Sequence, residues 1–480
     1  MTERPSYSRV LADFAAGTSF ADLPDDVVDS VRKRVLDVLG LCVAAHRLPT
    51  STAIVQYVRD QGGAQQAHVV GGGPGKVPAA LAALANGVLA HSLDYDDTHL
   101  PSVLHPSASV VPAALAAAEL ADASGEELIR AVALGLEICV RIGMAGYDPD
   151  AGNSIFFEHG QHATSICGAL GGAVAAGLLL GLSRDGLMDC LGVAASMASG
   201  VIEANRTGGT VKRLHCGWAA HSAVTAADLV RRGFTGPPTV LEGRFGFFQA
   251  FLHGDYDGDE LTCGLGVRWH VPGIFFKPYP ANHFTHAAVD AAMALREQGL
   301  DADRVESLTL GVPAPVIRTI GQPIEVKRAP ETGYQAQFSG PYAVAVGLLG
   351  GGGLGAALAD YTDELARDPR RRELMARVEV VADEQATKIF PQQFPAVLTA
   401  RDTDGRVWRH EVLANRGGPD RPLSEAELAR KFTDNTTGWL PPEAAGRVTD
   451  LVRRLAELEG AAERLLRPLA EFDTGTGDTA

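Results

Sequence analysis

The sequence predicts a mainly α protein, with a large all-helical domain built from the N- and C-terminal segments and a smaller α+β domain. Alanine- and glycine-rich runs with apolar residues at helical spacing recur through the first half of the chain, and aromatic residues make up only 6% of the 480 residues. Such a composition favours helices that pack closely through small side chains. An Asp404–Gly405 pair between two alternating apolar segments predicts a β-hairpin in the smaller domain.

Taken in order, residues 6–45 predict two helices, and residues 125–145, 163–181 and 187–204 predict three more. Between them, Gly71–Gly75 and Lys76 resemble a phosphate-binding loop, but Val70 and Val77 occupy positions where that motif needs glycine and a hydroxyl residue. We therefore interpret this segment as a strand end or turn that leads into a helix.

The later part of the chain changes character near Trp269. Residues 305–317 and 374–385 alternate as strands do, whereas helical periodicity returns at 424–435 and 447–472. The predicted domains are therefore a helical domain at 1–268, an α+β domain at 269–415, C-terminal helices at 416–472 that pack back on the helical domain, and a disordered tail at 473–480.

Composition narrows the classes of function. The formal charge of -16 argues against nucleic acid or an anionic membrane as the main partner. Six scattered cysteines form no C-x-x-C pair, so we expect no zinc site, iron–sulfur cluster or disulfide framework and a reducing, cytoplasmic location. The uncharged run at 163–183 reaches membrane-spanning length, but its five glycines predict a closely packed buried helix instead.

The stretch from Asn86 to Glu119 is the strongest candidate for chemistry. Within fifteen residues it holds several titratable and hydroxyl side chains, while its flanks are almost purely apolar. Ionisable groups beside an apolar core must find partners or shift their pKa, so a run of such groups indicates a specific role in structure or chemistry. The side chains are those of His91, Asp94, Asp96, Asp97, Thr98, His99 and His105.

Two lysines are further candidates for chemistry. Lysine is rare in this chain, which has seven lysines against thirty-five arginines, so a lysine in an unusual position stands out. Lys212 and Lys277 lie in irregular segments beside histidines rather than on solvated helix faces. A compact ammonium near apolar surface can anchor a carboxylate or assist acid catalysis.

Several segments around these residues resemble those of the MmgE/PrpD family, in family order over roughly residues 6–415: NGVLAHSLDYDDTH, LHPSASVVPAALAAAE, EHGQHATSICGAL, GGTVKRLHCGWAAHSAV, FFKPYPANHFTHAAVDA and AQFSGPYAVAVGLL. The resemblance implies a helical domain made from both chain ends, an α+β lid, a cofactor-free active site between them, and a homodimer. It also implies an activity of the 2-methylcitrate dehydratase, cis-aconitate decarboxylase or iminodisuccinate epimerase type.

Carried over by position, the resemblance places pocket residues at Asp94, Thr98, His105, His162, Lys212, Lys277 and Tyr342. Of these we expect Asp94, His105, His162, Lys212 and Tyr342 to be catalytic. We expect Thr98 and Lys277, together with Asn282 and His283, to bind the substrate. One departure matters: the decarboxylase branch has a histidine five residues beyond the lid lysine, where this chain has Asn282, with His283 next to it. This departure argues against decarboxylation. Ala163 also replaces the proline of the family's usual H-P-T, a small change.

The residues themselves suit a lyase or epimerase that acts on a small di- or tricarboxylate. Removing a proton α to a carboxylate builds negative charge, which needs cations and a base nearby. Asp94 is the favoured base, with a histidine second, and His162, His105 and Tyr342 remain open as general acid.

Dehydration is the first expectation, with epimerisation or decarboxylation as alternatives. Two more remote hypotheses are a divalent-metal hydrolase that uses the Asp94/His105 cluster and a non-enzymatic helical binding protein. In the second, His91, His215, His221 and His286 would be satisfied structural groups, and Asp96 and Asp97 would be caps.

Overall fold

The computed structural model describes residues 6–150 and 152–472, so the predicted disordered tail at 473–480 lies outside the described residues. The described chain divides into two compact units. Unit 1 contains residues 6–274 and 435–472, and unit 2 contains residues 275–434. Unit 1 therefore draws on both ends of the described chain.

Helices account for most of the regular structure, which confirms a mainly α fold. The α-helices are α1 Tyr7–Gly17, α2 Asp25–Ala44, α3 Pro49–Asp60, α4 Ala79–His91, α5 Ser107–Ala121, α6 Gly125–Ala145, α7 Ile155–Glu158, α8 Ala163–Leu179, α9 Arg184–Met197, α10 Ala204–Thr207, α11 Lys212–Arg231, α12 Phe247–Leu252, α13 Gly258–Thr262, α14 His286–Glu297, α15 Ile317–Ile320, α16 Ile324–Arg328, α17 Gly333–Ala336, α18 Gly340–Leu349, α19 Asp363–Ala366, α20 Pro369–Ala376, α21 Glu384–Ile389, α22 Glu425–Thr436, α23 Pro442–Arg453 and α24 Ala461–Ala470. The strands are β1 Tyr147–Asp148, β2 Asn153–Ser154, β3 Val305–Val312, β4 Val378–Ala382, β5 Ala396–Asp402 and β6 Val407–Val412.

Glycines let the central helices of unit 1 touch backbone to backbone. A Cβ on Gly217 of α11 would lie 2.3 Å from the carbonyl oxygen of Leu84 on α4, and one on Gly87 would lie 2.7 Å from Cα of Gly217. Likewise, a Cβ on Gly171 of α8 would lie 2.4 Å from the carbonyl oxygen of Gly135 on α6. Larger residues would force these helices apart, so glycine sets the spacing of α4 with α11 and of α6 with α8.

Residues 163–179 of the uncharged run form α8, whose residues are almost all buried. No single helix among the described residues is both long and apolar enough to cross a membrane. A bent pair, Asp25–Arg47 with Pro49–Asp60 at 103°, meets the length and composition criteria together.

The glycine-rich loop that resembles a phosphate site holds the C-terminal helix instead. The backbone N–H groups of Gly71 and Gly73 donate to the carbonyls of Leu469 and Ala470, each at 2.8 Å. Lys76 Nζ lies 2.6 Å from a carboxylate oxygen of Glu463 on α24. Because these groups are engaged within the protein, the segment is a turn that fastens α24, as the failed motif match indicated.

Unit 2 contains a four-stranded sheet in the order β4-β3-β5-β6, with β3 and β4 parallel and the other pairs antiparallel. The predicted Asp404–Gly405 turn joins β5 to β6, and Gly405 has the left-handed φ of 80° that such turns need. Apolar residues of the sheet and of α14 and α18 form one buried cluster.

The boundaries of the units differ from the predicted ones. Residues 416–434, expected to pack on the helical domain, belong to unit 2, where the carbonyl of Gly417 accepts from Phe276 N at 2.9 Å and Leu423 and Leu428 join the buried cluster. Residues 269–274, expected in the lid, belong to unit 1, where Arg34 donates to the carbonyl of Ile274 at 2.6 Å. Local periodicity identifies a buried face but not the surface that covers it.

Candidate active site

The acidic, histidine-rich stretch forms a compact loop between the end of α4 and the start of α5. His99 N donates to the carbonyl of Leu104 at 2.8 Å and closes the loop. Asp94 (φ 53°) and Val103 (φ 55°) adopt left-handed backbone conformations. Aspartate tolerates this conformation, but for a β-branched valine it costs about 1–3 kcal/mol. The surrounding packing must therefore hold this loop in shape.

Asp97 anchors the loop to α2. Its Oδ2 accepts from Arg34 NH1 at 2.7 Å, and its Oδ1 accepts from Ser107 N at 3.2 Å. The Arg34 and Asp97 side chains are 1% and 2% exposed. Burial raises the pKa of Asp97, an effect that the charge of Arg34 opposes. This pair is structural, because neither side chain is accessible to a substrate.

The main-chain carbonyl of Asp97 fixes the orientation of the His105 ring. His105 Nδ1 lies 2.7 Å from the carbonyl oxygen of Asp97. A carbonyl only accepts hydrogen bonds, so Nδ1 carries the proton and, when the ring is neutral, Nε2 holds the lone pair. Thr98 Oγ1 lies 3.3 Å from the same Nδ1, and His105 N donates to Thr164 Oγ1 at 3.1 Å. His105 is therefore oriented to exchange a proton through Nε2.

Asp96 binds the histidine that ends α4. Its Oδ2 lies 2.7 Å from His91 Nδ1, and the two side chains are 0% and 1% exposed. Burial alone would disfavour a charged imidazole, but the interactions with Cys216 and Asp96 beside it raise the pKa of His91 to about 10. His91 is thus a buried cation at neutral pH.

Four imidazoles line up across the cluster. Successive ring centroids are 5.5 Å apart from His105 to His91, 5.6 Å from His91 to His162, and 5.0 Å from His162 to His215. Burial, and then the charge of His91, hold the pKa of His162 well below its ordinary value and lower that of His215 to about 4. The two rings also meet through their Nδ1 atoms at 3.0 Å, where one must donate to the other.

Asp94 and Lys212 form the accessible edge of this cluster. Asp94 Oδ1 lies 3.7 Å from Lys212 Nζ, and the side chains are 12% and 23% exposed. The positive charge of Lys212 contributes to the lowered pKa of both His162 and His215, so all four residues share one electrostatic environment. A ligand can reach an acid and a base here without unfolding the core.

Three helices begin at the cluster: α5 at Ser107, α8 at Ala163 and α11 at Lys212. The bond from His105 N to Thr164 links the first two starts, and the bond from Ser165 Oγ to the carbonyl of His215 at 3.0 Å links the last two. Helix N-termini carry partial positive charge, so their convergence favours an anionic ligand.

The other predicted site residues lie in unit 2. Lys277 and His283 are buried, at 1% and 5% exposure, in the segment before α14. Asn282 caps the short 3₁₀ turn there, with its Oδ1 accepting from Phe284 N at 3.1 Å. These three positions stay predictions as substrate-binding residues.

Tyr342 is fully buried near the start of α18. Its hydroxyl donates to the carbonyl of Asp360 and accepts from Arg371 NH1 at 3.0 Å. Burial raises the pKa of Tyr342 to about 12. Its catalytic role also stays a prediction, although its hydroxyl is well occupied within unit 2.

The acids of the loop do not converge on a common point. Asp94 faces Lys212, Asp96 binds His91 and Asp97 binds Arg34. Within residues 6–150 and 152–472, no three His, Cys, Asp or Glu side chains are grouped so that they could hold a metal ion. The ligand set that a metal hydrolase would need is not present among the described residues.

The fold and the cluster define a mainly α protein of two units that carries side chains suited to proton transfer at the starts of several helices. The family model described as the MmgE/PrpD N-terminal domain matches residues 9–258, and that of the MmgE/PrpD C-terminal domain matches residues 279–457. The chain therefore belongs to the MmgE/PrpD family, as the resemblance indicated.

Named relatives fall into two activities. A cis-aconitate decarboxylase of Mus musculus is 27% identical over 478 residues, which cover 96% of this chain and 93% of that protein. A cis-aconitate decarboxylase of Aspergillus terreus is 33% identical over 292 residues, so the match spans only 58% of either chain. A 2-methylcitrate dehydratase of Cupriavidus necator is 24% identical over 468 residues, 92% of each chain.

Local sequence patterns did not predict the contacts of the residues that lie behind the Asp94–Lys212 pair. His91 and His215 were interpreted as ordinary buried histidines and Asp96 as a cap, yet these three side chains surround His162 or set the charge beside it. Arg34 carried a usable signal, because it lies on the same face of α2 as buried Val27, Val31 and Val38. A charged residue on an apolar face predicts a buried partner.

Proposed function

We propose that this protein is a cofactor-independent lyase of the 2-methylcitrate dehydratase type, which removes water from a small di- or tricarboxylate. The observation that carries the proposal is the partly exposed Asp94–Lys212 pair at the edge of a buried imidazole cluster. It places a carboxylate, an ammonium and imidazoles within one environment.

The first chemical step is loss of a proton from the carbon α to a substrate carboxylate. Asp94 accepts this proton, because its carboxylate is partly exposed and faces the cluster edge. Negative charge then develops on the substrate carboxylate as an enediolate. Lys212 and the converging helix N-termini supply the positive charge that stabilises it.

The second step is loss of the β-hydroxyl group. His105 acts in its imidazolium form: with its Nδ1–H held by the Asp97 carbonyl, it donates the Nε2 proton as the C–O bond breaks, so that water and a carbon–carbon double bond form. Asp94 then passes the proton that it took from the substrate to the neutral His105, directly or through solvent, which restores both groups. His162 has a lowered pKa, so at neutral pH it acts as a neutral hydrogen-bonding partner rather than as an imidazolium acid.

Decarboxylation is the second candidate, favoured by the names of the mouse and Aspergillus relatives. It would use the same enediolate-type charge and the same cation, with CO₂ as the leaving group. Against it, Asn282 occupies the position of the histidine in the decarboxylase branch, and an amide that caps a turn cannot exchange a proton. Epimerisation would share the first step and return the proton to the opposite face.

The test is a panel of polycarboxylates in deuterated solvent with chelator-treated protein. We expect mass spectrometry to show water loss from 2-methylcitrate or a related hydroxy acid, with deuterium at the α-carbon of the substrate that remains. Release of CO₂ from cis-aconitate would favour the second candidate, and exchange with inversion but no water loss would favour an epimerase. If no substrate in the panel exchanged its α-proton, the proposal would be wrong.

The partner and location of the protein remain predictions. We propose a homodimer, which analytical ultracentrifugation tests directly, and a cytoplasmic location, which fractionation tests. A monomer at micromolar concentration would contradict the first.

A further inference from the structure

We propose that Asp96 is a positioning residue of the site, because its carboxylate holds the His91 imidazolium as a fixed positive charge between the rings of His105 and His162. The inference rests on the proposed function insofar as those two rings serve the reaction. His91 itself exchanges no proton with the substrate. It sets the charge state of its neighbours.

The geometry of the pair supports a permanent ion pair. Asp96 Oδ2 and His91 Nδ1 are 2.7 Å apart, and at 0% and 1% exposure neither side chain can exchange its partner for water. A lone buried carboxylate would be costly, so the proton is best kept on the imidazole that contacts it. The same Oδ2 is 4.0 Å from His105 Nδ1, within the range of a direct charge interaction.

The groups around His91 come from each element packed near it. The loop after α4 contributes Asp96 and His105, α8 contributes His162, and α11 contributes Cys216, with Lys212 and His215 in the same environment. Helix α2 brings Arg34, whose charge is matched by Asp97. Among these groups, Asp96 is the carboxylate in direct contact with the ring.

A fixed cation at His91 has a direct effect on the reactive rings. Burial and then the His91 charge hold the pKa of His162 well below its ordinary value, and the same two causes lower the pKa of His215. If Asp96 lost its charge, no carboxylate in direct contact with the ring would oppose the effect of burial, so the pKa of His91 would fall and we expect the ring to release its proton near neutral pH. His162 would then become easier to protonate, and it could no longer serve as a neutral partner over the same pH range.

The test uses long-range ¹H–¹⁵N correlation spectra of histidine-labelled full-length protein near pH 8, with His91 assigned by comparison with His91→Gln. We expect both nitrogens of His91 to be protonated in the wild-type protein and the ring to be neutral in Asp96→Asn. Turnover of whichever substrate the panel identifies should fall about tenfold or more in that variant, with the acid limb of its pH profile displaced.

Glu119→Gln is the matched control. Glu119 is a fully buried carboxylate in contact with another buried histidine, His68, outside the cluster. It should lose stability as Asp96→Asn does, but His91 should stay charged and the pH profile should not move. A neutral His91 in the wild-type spectrum, or a charged one in Asp96→Asn, would overturn the inference. The spectra need no substrate, so this outcome is separate from the fate of the proposed function, and the wild-type spectrum decides even if a variant fails to fold.

Discussion

Mild acid should destabilise unit 1 steeply, because several of its imidazoles are held neutral. Burial and then the charges of His270 and Arg34 lower the pKa of His99 to about 3. Burial and then Arg141 and Arg268 lower that of His270 to about 4. His215 also falls to about 4, and His162 falls well below its ordinary value.

The sign of the effect follows from which state binds protons first. Unfolded histidine takes up its proton near pH 6.5, whereas these folded rings resist until about pH 4 or 3. Stability is therefore complete above pH 6.5 and falls as the pH drops below it. His91 behaves oppositely: its contribution is full below pH 6.5 and is lost only as the pH rises through about 10.

The magnitude is large for a protein domain. Each imidazole that stays neutral in the folded state costs about 1.4 kcal/mol of unfolding free energy per pH unit below its unfolded pKa. Three such rings, His99, His215 and His270, give about 4 kcal/mol per unit as an upper limit, and somewhat less because His215 is partly solvated. By about pH 5 the loss is at most about 6 kcal/mol, which is comparable to the lower end of the roughly 5–15 kcal/mol that typical domains have in total.

The assay is urea unfolding of the full chain, followed by helical circular dichroism from about pH 7 to about pH 5. His270→Gln removes one of the rings and should reduce the slope of stability against pH by about 1.4 kcal/mol per unit. A wild-type slope equivalent to less than one proton in this range would show that the buried imidazoles are already protonated and would refute the reasoning.

Two further predictions concern helix spacing and the reactive edge. Gly217→Ala should lower the unfolding free energy by about 1–3 kcal/mol, because its methyl group would lie 2.3 Å from the carbonyl oxygen of Leu84. Gly446→Ala on α23 has open space around it and should raise the unfolding free energy by about 0.5–1 kcal/mol. Thermal unfolding measures both variants, and equal shifts would contradict the close contact at Gly217. Lys212→Ala should reduce kcat/KM about 100-fold or more by removing the cation beside Asp94, while Lys388→Ala, on the solvated face of α21, should not. Steady-state kinetics on the substrate found would check this, and an unaffected Lys212→Ala would misplace the site.

The fold was largely readable from local patterns. Small residues at helical spacing predicted the packed helices of unit 1, and the Asp404–Gly405 turn predicted the hairpin between β5 and β6. Residues 416–434 were expected to pack on the helical domain, and the structure groups them with unit 2 for a physical reason. Leu423 and Leu428 indicate a face to be buried, but an apolar face is equally satisfied by either unit, and only tertiary structure selects one.

The accessible residues of the candidate site could be predicted from the sequence, whereas the buried contacts next to them could not. Asp94 and Lys212 stood out by their chemistry and position, and the structure brings them within 3.7 Å. The pairing of His91 with Asp96 was not predicted, because a buried His–Asp contact depends on the three-dimensional path of the loop, which sequence spacing leaves open. Even the role of His105 depends on a backbone carbonyl, which no pattern of side chains reveals.

The segment DYDDT shows how one short loop can supply three separate functions. Its acids differ in exposure, at 12% for Asp94, 0% for Asp96 and 2% for Asp97. The left-handed backbone at Asp94 turns the chain there, so that neighbouring acids reach cations on different elements. Those cations are Lys212 on α11, His91 on α4 and Arg34 on α2.

Removing the carboxylate from each of these three ion pairs should therefore have a different effect on activity and stability. Asp94→Asn should abolish proton transfer while the fold persists, and Asp96→Asn should change the charge of the imidazole array. Asp97→Asn should leave Arg34 buried with its charge unmatched, at a cost of about 3–5 kcal/mol in unfolding free energy. Equivalent behaviour of the three variants would mean that the acids act as one cluster, as a metal-binding interpretation requires, and not as three independent ion pairs.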